Sequence, residues 1–473
     1  MKERTSNLFQ SIHAWFAHQL DDEKPKGTIA ALDGVRAVAC IMVILYHSNT
    51  YWWAVEKIPF MPVVHLFGAE GVTLFFLLSG FLLFLPYVQS LLFEKPWPSA
   101  RIFYMRRILR IVPGYYFSLF IIILLIEPSY SSPHNWPGLA LFLTFLMPKQ
   151  LAFSMNAVYW TLAVEFQYYL LLPLIALGIF GLTRLVPRQW RVWAVVAALC
   201  VMAAWGVTTR YWGVMLFSRP DSHAFLASHL PLKILAFLTY GNSQMDSGKY
   251  FEDFAVGMLL AVCYTVVNNT TRGERYRRVL QRLSPWLWLL GLVLLVCTAS
   301  RNCVNATWCS GSVPVTTFAA YPVWGIELAF ALGFGLCMLA ILFNGSGLLK
   351  RFFAWTPLRW VGLLSFSLYL WQFYFINFLD AGFTASLHFS RPVVLCIFIV
   401  AHWTVMLFGA FVLYRLIERP GIHLSERLRK KMRAHEEQKT CVRPIHIRTQ
   451  EEAFTHEQTE PRQSVVLFDK LKL

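Results

Sequence analysis

The stretch LDGVRAVACIMVILYHSNTYWW, residues 32–53, decides the class of fold. Between Asp33 and His47 only Arg36 carries a charge at neutral pH, and about 20 predominantly apolar residues are what an α-helix needs to cross a bilayer. Asp33 suits a helix start. Arg36 sits one turn in, and His47 follows eleven residues later. Eleven residues are about 16 Å of helix and close to three full turns. Arg36 and His47 therefore share a face, at opposite ends of one span.

Nine further apolar runs follow, at 68–92, 109–127, 157–181, 190–210, 252–269, 285–300, 322–344, 360–379 and 393–417, making ten expected spans. An eleventh, LALFLTFLMP at 139–148, is short and ends in Pro148, so it is expected to re-enter or lie at the interface. The bulk composition agrees. Of 473 residues, 57% are hydrophobic and 14% charged, with 18 Trp and 39 Phe. A soluble domain carries about 25% charged residues. A soluble enzyme, a disordered protein and a nucleic-acid-binding domain are excluded, and the expected fold is an all-α polytopic membrane bundle.

The net charge of +16 raises the question of where the basic residues lie. With the N-terminus inside and ten spans, the short inner loops hold sixteen Lys and Arg and the outer segments eight. That asymmetry places both termini in the cytoplasm. Counting 139–148 as a span would turn three basic loops outward. Residues 1–27 read as a cytoplasmic segment with no signal peptide, 28–420 as the membrane domain, and 421–473 as a cytoplasmic, disordered tail. The outer loop 211–251 contains a mildly amphipathic stretch, HAFLASHLPLKILAFL. Cys303 and Cys309 flank a polar loop and suit a local disulfide if that loop lies outside the cytoplasm. No metal-ligand spacing occurs, so no metal is expected.

Ionisable side chains inside spans are costly, so each invites a functional reading. His47 is one, with a packing role as the alternative. Glu165, in WTLAVEFQYYLLLPL at 160–174, is another. A His47–Glu165 pair would orient the imidazole and raise its basicity. Arg106, Arg107 and Arg110, in RIFYMRRILRIVPGYY at 101–116, fit either a membrane anchor or a phosphate site. Ser365, Ser367 and Gln372 are polar positions in an apolar helix, where helix–helix hydrogen bonds serve equally well. Gly71, Ser79 and Gly80, in GVTLFFLLSGFLL, read first as close-packing positions.

LDGVRAVACIMVILYH, GVTLFFLLSGFLL, RRILRIVPGYY, WTLAVEFQYYLLLPL, SFSLYLWQ and YRLIERP occur in this order between about 28 and 420. Together they resemble the membrane-bound acyltransferase 3 family, O-acyltransferases of bacterial surface glycans and some secondary metabolites. The resemblance implies transfer from acyl-CoA, acetyl-CoA by default, in a bacterial cell membrane. It implies that His47 is essential and that Arg36, Arg107 and Arg110 are functional. The expected acceptor is a hydroxyl of a sugar, a surface glycan or a lipid-linked or secondary-metabolite compound. The expected partners are the bilayer and that acceptor, without nucleic acid.

The expected site has His47 and Glu165 as catalytic residues. Arg36, Arg106, Arg107 and Arg110 bind the donor, and Gln372, Tyr168 and Trp160 the acceptor. The chain departs from the family pattern in three places. Gln372 stands where relatives often have His, and Thr73 stands at an acidic position. No fused extracytoplasmic esterase-like domain is read in the chain, so any second transfer step is expected to use a partner or to be absent. A proton-coupled transporter of a sugar or lipid is the rival reading, against which the sequence shows no internal repeat. Aromatics near the outer ends, Trp160 among them, suit sugar stacking or an interfacial belt.

Overall fold

The computed structural model describes residues 29–52, 67–217, 229, 248–304, 325–345, 347–383 and 391–442. All ten apolar runs become long helices: α1 (Ala30–Trp52), α2 (Gly71–Phe93), α3 (Ala100–Leu125), α4 (Tyr159–Arg184), α5 (Arg191–Phe217), α6 (Phe251–Asn269), α7 (Gly273–Val304), α8 (Ile326–Phe343), α9 (Ser365–Phe383) and α10 (Arg391–Leu413). Nine stretches among the described residues are long and apolar enough to cross a membrane; α9, richer in polar side chains, is not one of them. The chain is an all-α, multi-pass membrane protein.

The run at 139–148 does not span. It contributes a short helix, Trp136–Leu143, whose eight residues reach only about 12 Å. Within the polar tail expected from 421, the described part is helical, as α11 (Arg419–Val442), and residues 443–473 lie outside the described residues. Apolar Ile422 packs on the core and Gly421 lies against the Leu109 carbonyl of α3, so one face of this charged segment is buried. A five-residue π turn, Tyr414–Glu418, joins α10 to α11 as one continuous rod. Residues 1–27, most of the amphipathic stretch at 223–238 and Cys309 lie outside the described residues.

α2, α6 and α8 form the buried centre of the bundle. On the periphery Leu124, Trp193, Val201, Trp286 and Phe408 are each more than 60% exposed. In water such a surface would be an aggregation site; in a bilayer it faces lipid. Prolines sit within α2 (Pro86), α3 (Pro113), α4 (Pro173) and α7 (Pro285), as membrane helices tolerate.

Small residues set the helix spacing. A Cβ on Gly80 would collide with the Phe254 carbonyl, and one on Gly257 with the Leu77 carbonyl. α2 and α6 therefore touch backbone to backbone, the close approach that glycine permits between membrane helices. Gly257→Leu is expected to push them apart and cost about 3 kcal/mol, read as a lower apparent unfolding temperature in detergent.

Two contacts fix depth along α1. Gly71 of α2 packs against Ala39 and Met42, and Gly68 against Tyr46, so α2 runs antiparallel to α1. Cys40 Sγ contacts the Ser365 carbonyl oxygen at 3.6 Å. Seven residues further along each helix, His47 lies beside Gln372. α1 and α9 are therefore parallel and in register, as two odd-numbered helices of a ten-helix up-and-down arrangement are.

Candidate functional site

A cavity of about 630 Å³ opens among α1, α2, α3, α4, α9 and the π turn. That is the size of an ordinary small-ligand site. Its lining follows α2 from Val72 to Tyr87, about 22 Å of helix. At one end, beside Pro98 and Ser99, it is walled by Arg106, Arg107 and Arg110 of α3 and by Arg36 of α1. At the other end stand Thr161 and Tyr369, whose hydroxyls are 2.6 Å apart, and Phe75, whose ring centroid is 5.7 Å from that of Tyr369.

The four arginines expected from the sequence thus converge on one space. Three come from a single stretch of α3. The short helices Leu348–Phe353 and Thr356–Leu363 pack on the start of α1 at this end. A Cβ on Gly34 would strike the Phe353 carbonyl, and one on Gly362 the Asp33 carbonyl. Asp33 faces Arg359 at 3.8 Å, beside the cavity that it also lines. The Arg107 guanidinium lies 5.8 Å from the Tyr169 ring centroid.

Glu165 belongs to this arginine end. Its Oε1 accepts a hydrogen bond from Ser79 Oγ at 2.5 Å and a short one from the Tyr169 hydroxyl. Arg36 and Arg107 both lie within its electrostatic reach. Ser79 was read as a packing position; it is instead the donor that fixes Glu165. The His47–Glu165 pair does not form. Glu165 lies level with Arg36, because Ser79 is two turns below Gly71 on α2, while His47 is about 16 Å away along α1.

His47 stands outside the cavity lining, one turn beyond Tyr369. Its neighbour is Gln372, at the position where a second His was considered. Gln372 Nε2 donates to the Tyr369 carbonyl at 3.1 Å. Gln372 Oε1 and His47 Nδ1 are both buried without a hydrogen-bond partner. An imidazole nitrogen in such a place can accept or deliver a proton. The Phe373 ring packs edge-on to His47 at 6.3 Å.

The two aromatic candidates fare differently. Tyr168 is buried, stacked on Phe254 at 3.7 Å, and lies outside the cavity lining. Trp160 lies at the His47 end, with Lys149 Nζ 4.4 Å over its ring and Tyr250 5.6 Å away.

A second polar cluster had not been anticipated. Arg210, near the end of α5, gives Glu252 Oε1 two hydrogen bonds, from Nε at 2.9 Å and Nη2 at 2.5 Å. Its Nη1 lies 3.8 Å from Glu327 Oε1. Thr73 Oγ1 stands 3.4 Å from a carboxylate oxygen of both Glu327 and Glu70. Asp253 is fully buried beside them, with neither oxygen hydrogen-bonded. The signal lay near helix ends: acidic residues open α2, α6 and α8, and Arg210 lies about two turns before the end of α5, so a bundle with these ends together gathers them.

Comparison with known proteins bears on all of this. O-acetyltransferase OatA of Staphylococcus aureus is 24% identical over 416 residues, covering 83% of this chain and 57% of that protein. Peptidoglycan O-acetyltransferase OatA of Listeria monocytogenes is 24% identical over 375 residues, covering 73% of this chain and 49% of that protein. The chain thus spans about half the length of the curated relatives it matches. No solved structure matches it. Residues 29–415 match the acyltransferase 3 family, described as an acyltransferase domain. The chain, a ten-helix membrane bundle carrying these ordered strings, therefore belongs to the acyltransferase 3 family.

Proposed function

We propose that the enzyme moves an acyl group, acetyl by default, from cytoplasmic acyl-CoA to a hydroxyl of a sugar or glycan acceptor. The observation that carries this reading is the cavity: four arginines at one end, and a far end one helical turn short of His47 and Gln372. The arginine end faces the cytoplasm in this reading, where positive loops belong. The nucleotide phosphates meet Arg106, Arg107, Arg110 and Arg36, and charge-assisted hydrogen bonds hold them. The pantetheine arm lies along α2 and delivers the thioester towards Tyr369.

The acceptor arrives from the opposite side. His47 takes the proton of its hydroxyl as that oxygen attacks the thioester carbonyl. The tetrahedral intermediate then expels the thiolate, which receives the proton as the free thiol. Gln372 orients the imidazole in place of the acidic partner. Glu165, held by Ser79 and Tyr169, balances the charge of Arg36 and Arg107 and so keeps the donor end formed. A glycan acceptor is supported by the peptidoglycan named for the Listeria relative. Trp160 offers such an acceptor an aromatic face on the His47 side.

The donor assignment is tested by charge reversal. Arg107→Glu with Arg110→Glu is expected to weaken acetyl-CoA binding by at least about 100-fold, since each charged hydrogen bond contributes roughly 1.5–3 kcal/mol. Equilibrium binding to the purified protein measures it, and unchanged affinity would sink the phosphate role. Thiol release from acetyl-CoA upon addition of glycan separates this enzyme from a carrier, which would release none.

A further inference from the structure

α11 lies beyond residues 29–415, the part of the chain that matches the family. Ile422, Ser425, Glu426 and Arg429 of this helix nevertheless line the cavity. Their spacing of three, four and seven residues puts them on one helical face. The anchor of that face is Gly421, packed on the Leu109 carbonyl beside Arg110.

α11 continues α10 outward past the arginine end, so it runs antiparallel to α3. With Gly421 opposite Leu109, Arg429 falls eight residues further on, about 12 Å towards the opening. That is the level of Pro98, Ser99 and Ile102, which also line the mouth. Arg429 Nε is buried and has no hydrogen-bond partner. A buried guanidinium donor left unsatisfied is costly, and here it borders a cavity already rich in arginine.

We propose that Arg429 binds a second, separate phosphate of the donor nucleotide, the 3′-phosphate on the ribose. The inference rests on the acyl-CoA reading above. In that donor the pyrophosphate adjoins the pantetheine arm, so it reaches the inner arginines Arg107 and Arg110. The ribose and its own phosphate lie further from the thioester, and therefore nearer the mouth. The C-terminal helix would thus supply donor specificity from outside the family's common core.

The test uses the full chain in detergent with coenzyme A and 3′-dephospho-coenzyme A as probes. Wild-type protein is expected to bind coenzyme A about 10-fold more tightly than the dephospho form, the scale of one charged hydrogen bond. Arg429→Gln should abolish that preference by weakening coenzyme A alone, and Arg429→Lys should restore part of it. Equal weakening of both probes, or a preference left intact in Arg429→Gln, would overturn the role of Arg429. So would a wild-type protein that binds both probes equally, leaving the donor reading intact. Wild-type protein that binds neither would overturn the donor reading, and this inference with it.

Discussion

His47→Ala is expected to lower kcat for acyl transfer by roughly 10²–10⁴-fold, the usual contribution of a positioned general base. Acetyl-CoA affinity should change little, because His47 lies outside the cavity lining and three turns from Arg36. The split between kcat and binding carries the information. A loss of binding in parallel with activity would mean that His47 holds α1 against α9 and has no part in the chemistry. Its position makes the outcome sharp: the imidazole touches Gln372 and Phe373, and its Nδ1 has no protein partner to lose. Steady-state kinetics beside equilibrium binding measure the two quantities, and an acceptor-independent hydrolysis assay shows whether water replaces the sugar.

The largest effect on stability is expected at Arg210→Met. Arg210 is 5% exposed and is the cation that faces Glu252 and Glu327, with Asp253 close by. Removing one partner of a buried pair leaves uncompensated charge, at a cost of about 3–5 kcal/mol. The cost here should lie at the upper end, because the carboxylates outnumber the guanidinium. Apparent unfolding temperature in detergent at neutral pH measures this loss. A variant as stable as wild type at neutral pH would show that the cluster is solvated.

The fold was legible because length and hydropathy speak directly to a bilayer. Each apolar run longer than about 17 residues became a helix, and the short run at 139–148 did not span. Which side chains meet was legible only within one helix. Arg36 and His47 on a shared face, or Arg107 and Arg110 one turn apart, follow from 3.6 residues per turn. Contacts between helices depend on relative depth, which hydropathy does not encode. Glu165 therefore looked like a partner for His47 from its distance to its own helix start. α2 shows otherwise: Gly71 packs level with Ala39 and Met42, not with His47, and carries Ser79 and Glu165 down to the arginines. The Arg210 cluster was hidden for the same reason, since its members are far apart in sequence. α11 was hidden by charge. A helix of mostly polar residues reads as a solvated tail unless one knows that a small Gly421 lets it lie on α3.

The π turn at 414–418 has a consequence for how the chain can vary. Such a turn holds one residue more than an α-turn, and π turns often mark functional sites. One residue is worth about 100° of rotation in everything that follows. The direction in which Ile422, Ser425, Glu426 and Arg429 point is therefore set upstream, between Tyr414 and Glu418, rather than within α11. Substitutions along α11 act one side chain at a time, whereas a single deletion in the π turn would turn the whole face away from the cavity at once. Length in this short segment is thus under tighter constraint than identity, and a homologue that lacks the extra residue would have to rebuild that wall from other side chains.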